Sequence, residues 1–127
     1  MTADNNTAGK PAGKRVLVVE DEPMIRLLLD DMLADLGYTM AAEAGRLDEA
    51  LAQAKDGEFD VAILDVNLNG QAISPVVEVL RKRGLPFVFA TGYGQRGVPE
   101  AYRETPTLQK PFQSDALAKA IVAATAR

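Results

Sequence analysis

Four short stretches that read as strands each end directly on side chains that could do chemistry: Glu20 and Asp21 after RVLVV, Asp65 after FDVAIL, Thr91 after FVFA, and Lys110 after TLQ. Three carboxylates brought together would repel one another strongly, so a cation must join them. The chain has no His and no Cys, which leaves oxygen ligands and a hard divalent ion. Mg2+ suits best, because it takes one or two carboxylates, keeps several waters and binds phosphate oxygens. Lys110 adds a second positive charge and Thr91 a hydroxyl donor. Together they equip a site for phosphoryl transfer, in which a carboxylate attacks in line while metal and ammonium neutralise the equatorial oxygens. Asp65 is the first candidate for that attack. Taken singly each residue has a plainer reading: acids at a helix N-terminus, a turn Asp, a turn hydroxyl, a solvated lysine. Their recurrence at four strand ends favours the shared site.

The elements that must position them follow from pattern. Arg15–Val19, Tyr38–Glu43, Phe59–Leu64, Phe87–Ala90 and Thr107–Gln109 read as strands, the third as a buried parallel strand. Between them, Pro23 opens a helix whose apolar set is Met24, Ile25, Leu28, Leu29, Met32, Leu33 and Leu36, with Gly37 as its stop. A second helix spans Leu47–Lys55, with Leu47, Leu51 and Ala54 inward. Ser74 is a candidate cap for a third, ended by Gly84 after the basic triplet Arg81-Lys82-Arg83. Ser114 is a candidate cap for the last, over Asp115–Ala126, with Leu117, Ile121 and Val122 inward. From Tyr93 to Pro106, Gly94, Gly97, Pro99 and Pro106 leave only about Glu100–Arg103 for helix, so the fourth helix is expected to be short or mobile. Five strand–helix alternations predict a doubly wound parallel α/β sheet with helices on both faces.

Composition narrows the class. At 127 residues, 47% hydrophobic and 25% charged, there is room for one globular domain. Residues 1–14, polar and small, read as a disordered lead-in, with the domain over 15–127. A net charge of −4 with no larger basic cluster than residues 81–83 argues against nucleic acid. The absence of Cys removes thiolate catalysis and disulfides. No apolar run reaches membrane-spanning length and no signal region follows Met1, so a cytoplasmic protein with no membrane partner is expected.

VLVVEDE (Val16–Glu22), LDVNLNG (Leu64–Gly70), FATGY (Phe89–Tyr93) and KPF (Lys110–Phe112) together resemble a response-regulator receiver domain, over Arg15–Ala126. The resemblance implies a flavodoxin-like (βα)5 fold with strand order 2-1-3-4-5. Asp65 would be the phosphoacceptor, Asp21 a direct Mg2+ ligand, Glu20 a ligand through water, and Asn67 a ligand through its backbone carbonyl. Thr91 would be the switch hydroxyl, Lys110 the phosphate-binding lysine, and Lys110–Pro111 a cis peptide. FATGY with KPF further resembles a subgroup of receivers, often stand-alone, that accompany alphaproteobacterial stress and light-sensing kinases.

The implied function is a phosphorelay switch rather than an enzyme. A histidine kinase or phosphotransfer protein donates, and output is altered contact with a downstream protein or draining of phosphate. No effector domain is expected after Arg127, and a monomer, at most a weak dimer, is expected. Two departures stand out. Thr107 occupies the position, three before the lysine, where most receivers carry an aromatic, so the usual aromatic swing cannot be the readout. NLNG lacks the proline common after the acceptor loop, which predicts a more mobile turn. Two rivals remain in view: a dehalogenase-type phosphohydrolase, which needs an acid where Asn67 stands, and a docking module that is never phosphorylated.

Overall fold

Side chains alternate across each strand, and that alternation sorts the core into two layers. The computed structural model describes residues 14–92, 98, 100–102 and 104–126. Apart from Lys14, the lead-in expected over 1–14 lies outside the described residues, as does Tyr93.

The elements are β1 (Arg15–Val19), α1 (Pro23–Asp35), β2 (Thr39–Ala44), α2 (Leu47–Asp56), β3 (Val61–Asp65), two short strands β4 (Asn67–Leu68) and β5 (Gln71–Ala72), α3 (Ser74–Arg83), β6 (Phe87–Thr91), a 3-10 turn (Glu100–Tyr102), β7 (Thr107–Gln109) and α4 (Ser114–Thr125). The main sheet is parallel in the order β2-β1-β3-β6-β7. This is the predicted 2-1-3-4-5 arrangement, the extra numbers arising from the β4–β5 hairpin. On one face Leu17, Val19, Ala62, Leu64 and Phe89 pack under α2 and α3; on the other Val16, Val18, Val61, Ile63 and Val88 pack under α1 and α4. Each fully buried Leu or Ile contributes roughly 1.5–3 kcal/mol relative to exposure.

Several local expectations change. Leu29, Met32 and Leu33 are the buried residues of α1, whereas Met24 and Leu28 are 76% and 44% exposed. The helix is apolar over a wider arc than the sheet can cover, and these two lie beyond its edge. Val122 is exposed for the same reason, while Leu117, Ala120, Ile121 and Ala124 are buried. Ser74 and Ser114 cap nothing: they are the first helical residues, preceded by Ile73 and Gln113, and neither helix start has a side-chain cap bond. Within the stretch where only a short fourth helix is expected, the described residues Glu100–Tyr102 form a 3-10 turn, while residues 93–97, 99 and 103 lie outside the described residues. Tyr102 anchors that turn. Its ring lies 5.6 Å from Phe89, with the Arg81 guanidinium 4.9 Å from its centroid. Thr107, in β7 opposite Phe89, donates its hydroxyl to the Thr105 carbonyl at 3.1 Å.

The Asn67–Gly70 turn is a hairpin. Asn69 and Gly70 have φ of 53° and 80°, both left-handed, which matches a two-residue type I′ turn and explains the Asn-Gly pair. Asn67 Oδ1 accepts the Gly70 N–H at 2.8 Å, closing it further.

Candidate functional site

Parallel pairing in register brings the carboxyl ends of β1, β3, β6 and β7 to one edge of the sheet, where an open α/β fold leaves a crevice. Asp65 is the last residue of β3 and Thr91 the last of β6; both are buried. Glu20, 1% exposed, follows β1, its N–H still bonded to the Ala44 carbonyl at 3.0 Å. Lys110 follows β7, its N–H donating to the Thr91 carbonyl at 3.0 Å, and the Lys110–Pro111 peptide is cis.

All five side chains named from the sequence meet here. Carboxylate oxygens of Glu20, Asp21 and Asp65 lie within 4.8 Å of one another. The Lys110 ammonium sits 2.9 Å from Glu20 Oε1 and 3.2 Å from Asp65 Oδ2. Asp65 Oδ1 accepts the Asn67 N–H at 3.2 Å, and Glu20 Oε2 the Glu22 N–H at 3.1 Å. A cavity of about 800 Å3 opens over the group, lined by Asp21, Asp65, Asn67, Thr91, Gly92 and Lys110 among others.

The donor set fits a hard divalent cation. Three carboxylates face one ammonium, a net of two negative charges if all are ionised. Glu20 Oε1 is buried with no hydrogen-bond partner, although the Lys110 ammonium pairs with it at 2.9 Å. Such a buried acceptor, grouped with the Asp21 and Asp65 carboxylates that line the cleft, is what a hydrated Mg2+ satisfies.

Burial raises the Glu20 carboxyl to about 7 from the usual 4.5; Lys110 opposes that rise, and Asp21 and Asp65 add to it. Burial lowers Lys110, but Glu20 and Asp65 outweigh it and raise it overall. Between pH 4.5 and 7 the metal-free fold therefore binds more protons at Glu20 than the unfolded chain does, so this group's contribution to stability falls as pH rises through that window. Glu20→Gln, which cannot ionise, should melt above the parent in EDTA at pH 8, the gap closing toward pH 4.5. Melting curves at the two pH values check this; a less stable variant at pH 8 would mean attraction to Lys110 outweighs burial.

Two participants escaped the sequence reading. The Asn69 N–H, at the hairpin tip, donates to Asp21 Oδ2 at 3.1 Å. The Arg26 guanidinium donates to the Glu20 carbonyl at 2.6 Å. The Asn-Gly pair was a hairpin signal that could have found the first; nothing local marked the second.

Residues 16–122 match the family model of the response regulator receiver domain. The chain belongs to that family. Among curated relatives, the transcriptional regulatory protein PdtaR of Mycobacterium tuberculosis is 35% identical over 131 residues, covering 100% of this chain; the chain spans 64% of that protein's length. Among solved structures, SdrG from Sphingomonas melonis Fr1 superposes with a TM-score of 0.80 at 45% identity, over 91% of this chain and 98% of SdrG. Its BeF3-activated conformation gives 0.76 at 46%, over 87% and 95%. The PhyR receiver domain of Erythrobacter litoralis gives 0.77 at 27%, over 92% of each chain. A receiver is a phosphorylation-dependent switch module of two-component signalling. Among the described residues no helix is long and apolar enough to cross a membrane.

Proposed function

We propose that Asp65 takes a phosphoryl group from a phosphohistidine on a histidine kinase or phosphotransfer protein, with Mg2+ held by Asp21, Asp65, the Asn67 carbonyl and, through water, Glu20. The observation that carries this is Lys110, bridging Asp65 and Glu20 at the mouth of an acid-lined cleft. Bound Mg2+ would supply positive charge to the acids and to the phosphoryl oxygens. The Asp65 carboxylate attacks phosphorus in line; a P–O bond forms as the donor's P–N bond breaks. The Lys110 ammonium, already 3.2 Å from Asp65, stabilises a phosphoryl oxygen, and the Thr91 hydroxyl donates to another. Drawing Thr91 inward pulls on the end of β6, and the altered surface then changes contact with a protein partner, or the phosphate is drained.

A protein donor must lie on the rim of the cleft. α1 begins two residues after Asp21 and exposes Met24, Leu27 and Leu28, an apolar surface that suits such a donor. The likeness to SdrG and PhyR, together with FATGY and KPF, favours the alphaproteobacterial-type subgroup and a cytoplasmic setting.

Incubation with acetyl phosphate and Mg2+, read by intact mass, tests the function. A phosphoryl adduct is expected. Turnover without adduct would favour a hydrolase, although Asn67 cannot act as its acid and its amide oxygen is occupied by Gly70. Neither outcome would leave a docking module.

A further inference from the structure

Glu20 and Asp21 lie in the β1–α1 loop, and one side chain ties the start of that loop to β2. Arg26, in the first turns of α1, reaches back across the β1–α1 loop. One guanidinium nitrogen, Nη1, donates to the Glu20 carbonyl at 2.6 Å, while Nε donates to Glu43 Oε1 on β2 at 2.8 Å. Since the Glu20 N–H is bonded to Ala44, both polar groups of the Glu20 backbone are tied, which fixes where the chain delivers Asp21. The guanidinium lies against Gly45: a Cβ there would fall 2.7 Å from Nη1, while the Glu20 carbonyl oxygen, at 3.7 Å, would be in ordinary contact. The Gly45 carbonyl in turn accepts Asn69 Nδ2 at 3.4 Å, and the Asn69 N–H holds Asp21 Oδ2.

We propose that Arg26, seated in the space left open by Gly45, is a positioning residue for the divalent-cation site: it sets the Glu20–Asp21 peptide so that the Asp21 carboxylate faces Asp65. It touches none of the carboxylates that would bind the ion. The sign of its effect separates position from charge. As a cation near the site, Arg26 opposes Mg2+ binding, so loss of charge alone would tighten binding; loss of positioning loosens it. The ion pair with Glu43 already mutes the charge effect.

The inference rests on the metal reading above, and calorimetric titration with Mg2+ separates the two. A parent protein that binds no Mg2+ would fault the metal reading itself. Given binding, Arg26→Ala should weaken Mg2+ about tenfold, in the range seen when outer-shell supports of metal ligands are removed. Gly45→Ala, which displaces the guanidinium and clashes with nothing else closely, should weaken it in the same direction in the parent. It should do nothing further in the Arg26→Ala background. Unchanged or tighter Mg2+ binding in Arg26→Ala, even with a lowered melting temperature in EDTA, would overturn the proposal. So would fully additive losses, because the two residues would then act separately. If Arg26→Ala fails to fold, Gly45→Ala alone decides: unaltered Mg2+ affinity overturns the proposal and a weakened one supports it.

Discussion

Asp65→Asn protein, incubated with acetyl phosphate and Mg2+, should gain no phosphoryl adduct while remaining folded. The amide is not a competent nucleophile toward phosphorus, so the loss should be complete within detection rather than partial. Shape is nearly conserved in a position that is only 7% exposed, and the amide oxygen can still accept the Asn67 N–H. The substitution removes the ion pair with Lys110 at 3.2 Å, yet it also removes a negative charge from beside Glu20 and Asp21. In EDTA the two effects oppose each other, and the melting temperature should stay near that of the parent. An adduct forming at the parental rate would move the acceptor to another residue and end the present assignment.

The parent's melting temperature should rise on adding Mg2+, and Asp21→Ala should abolish most of that rise. A ligand that binds only the folded state stabilises it by about 2.7 kcal/mol at a hundred times its dissociation constant. Losing a direct ligand should cost more affinity than the ~10–100-fold typical of an outer-shell partner. The metal-free comparison has its own sign. Asp21→Ala relieves repulsion among three close carboxylates, at the expense of one hydrogen bond from the Asn69 N–H worth about 1 kcal/mol. A parent melting curve indifferent to Mg2+ would count heavily against a metal site, whatever the variant does.

The contrast between α1 and β3 shows what local pattern can and cannot carry. In β3, Val61–Asp65 is buried throughout, so a plain apolar run followed by an acid was enough to place Asp65 at a strand's carboxyl end. In α1 the apolar arc is broader than the buried stripe. Which of Met24, Leu28, Leu29 and Leu33 faced inward depended on how the helix lies against β1 and β3, and periodicity alone does not say. Ser74 and Ser114 failed as caps for a related reason: a cap is decided by the backbone of the residue that enters the helix, and Ile73 and Gln113 fill that place.

By itself, the sequence determined the alternation of strands and helices, the parallel sheet and the identity of every acid, hydroxyl and ammonium in the site. These are local facts, since each reactive residue lies at or just beyond the end of the strand that carries it. The tertiary structure alone decided how they engage one another. Lys110 bridges Glu20 and Asp65 because the in-register ladder sets β7 two strands from β3 and brings a long side chain back across the edge. The Asn69 N–H reaches Asp21 because the NLNG segment forms a type I′ hairpin, and Arg26 reaches the Glu20 carbonyl because Gly45 leaves it room. Contacts of this kind join residues distant in the chain, and their distances are set by register and packing, which no window of sequence contains.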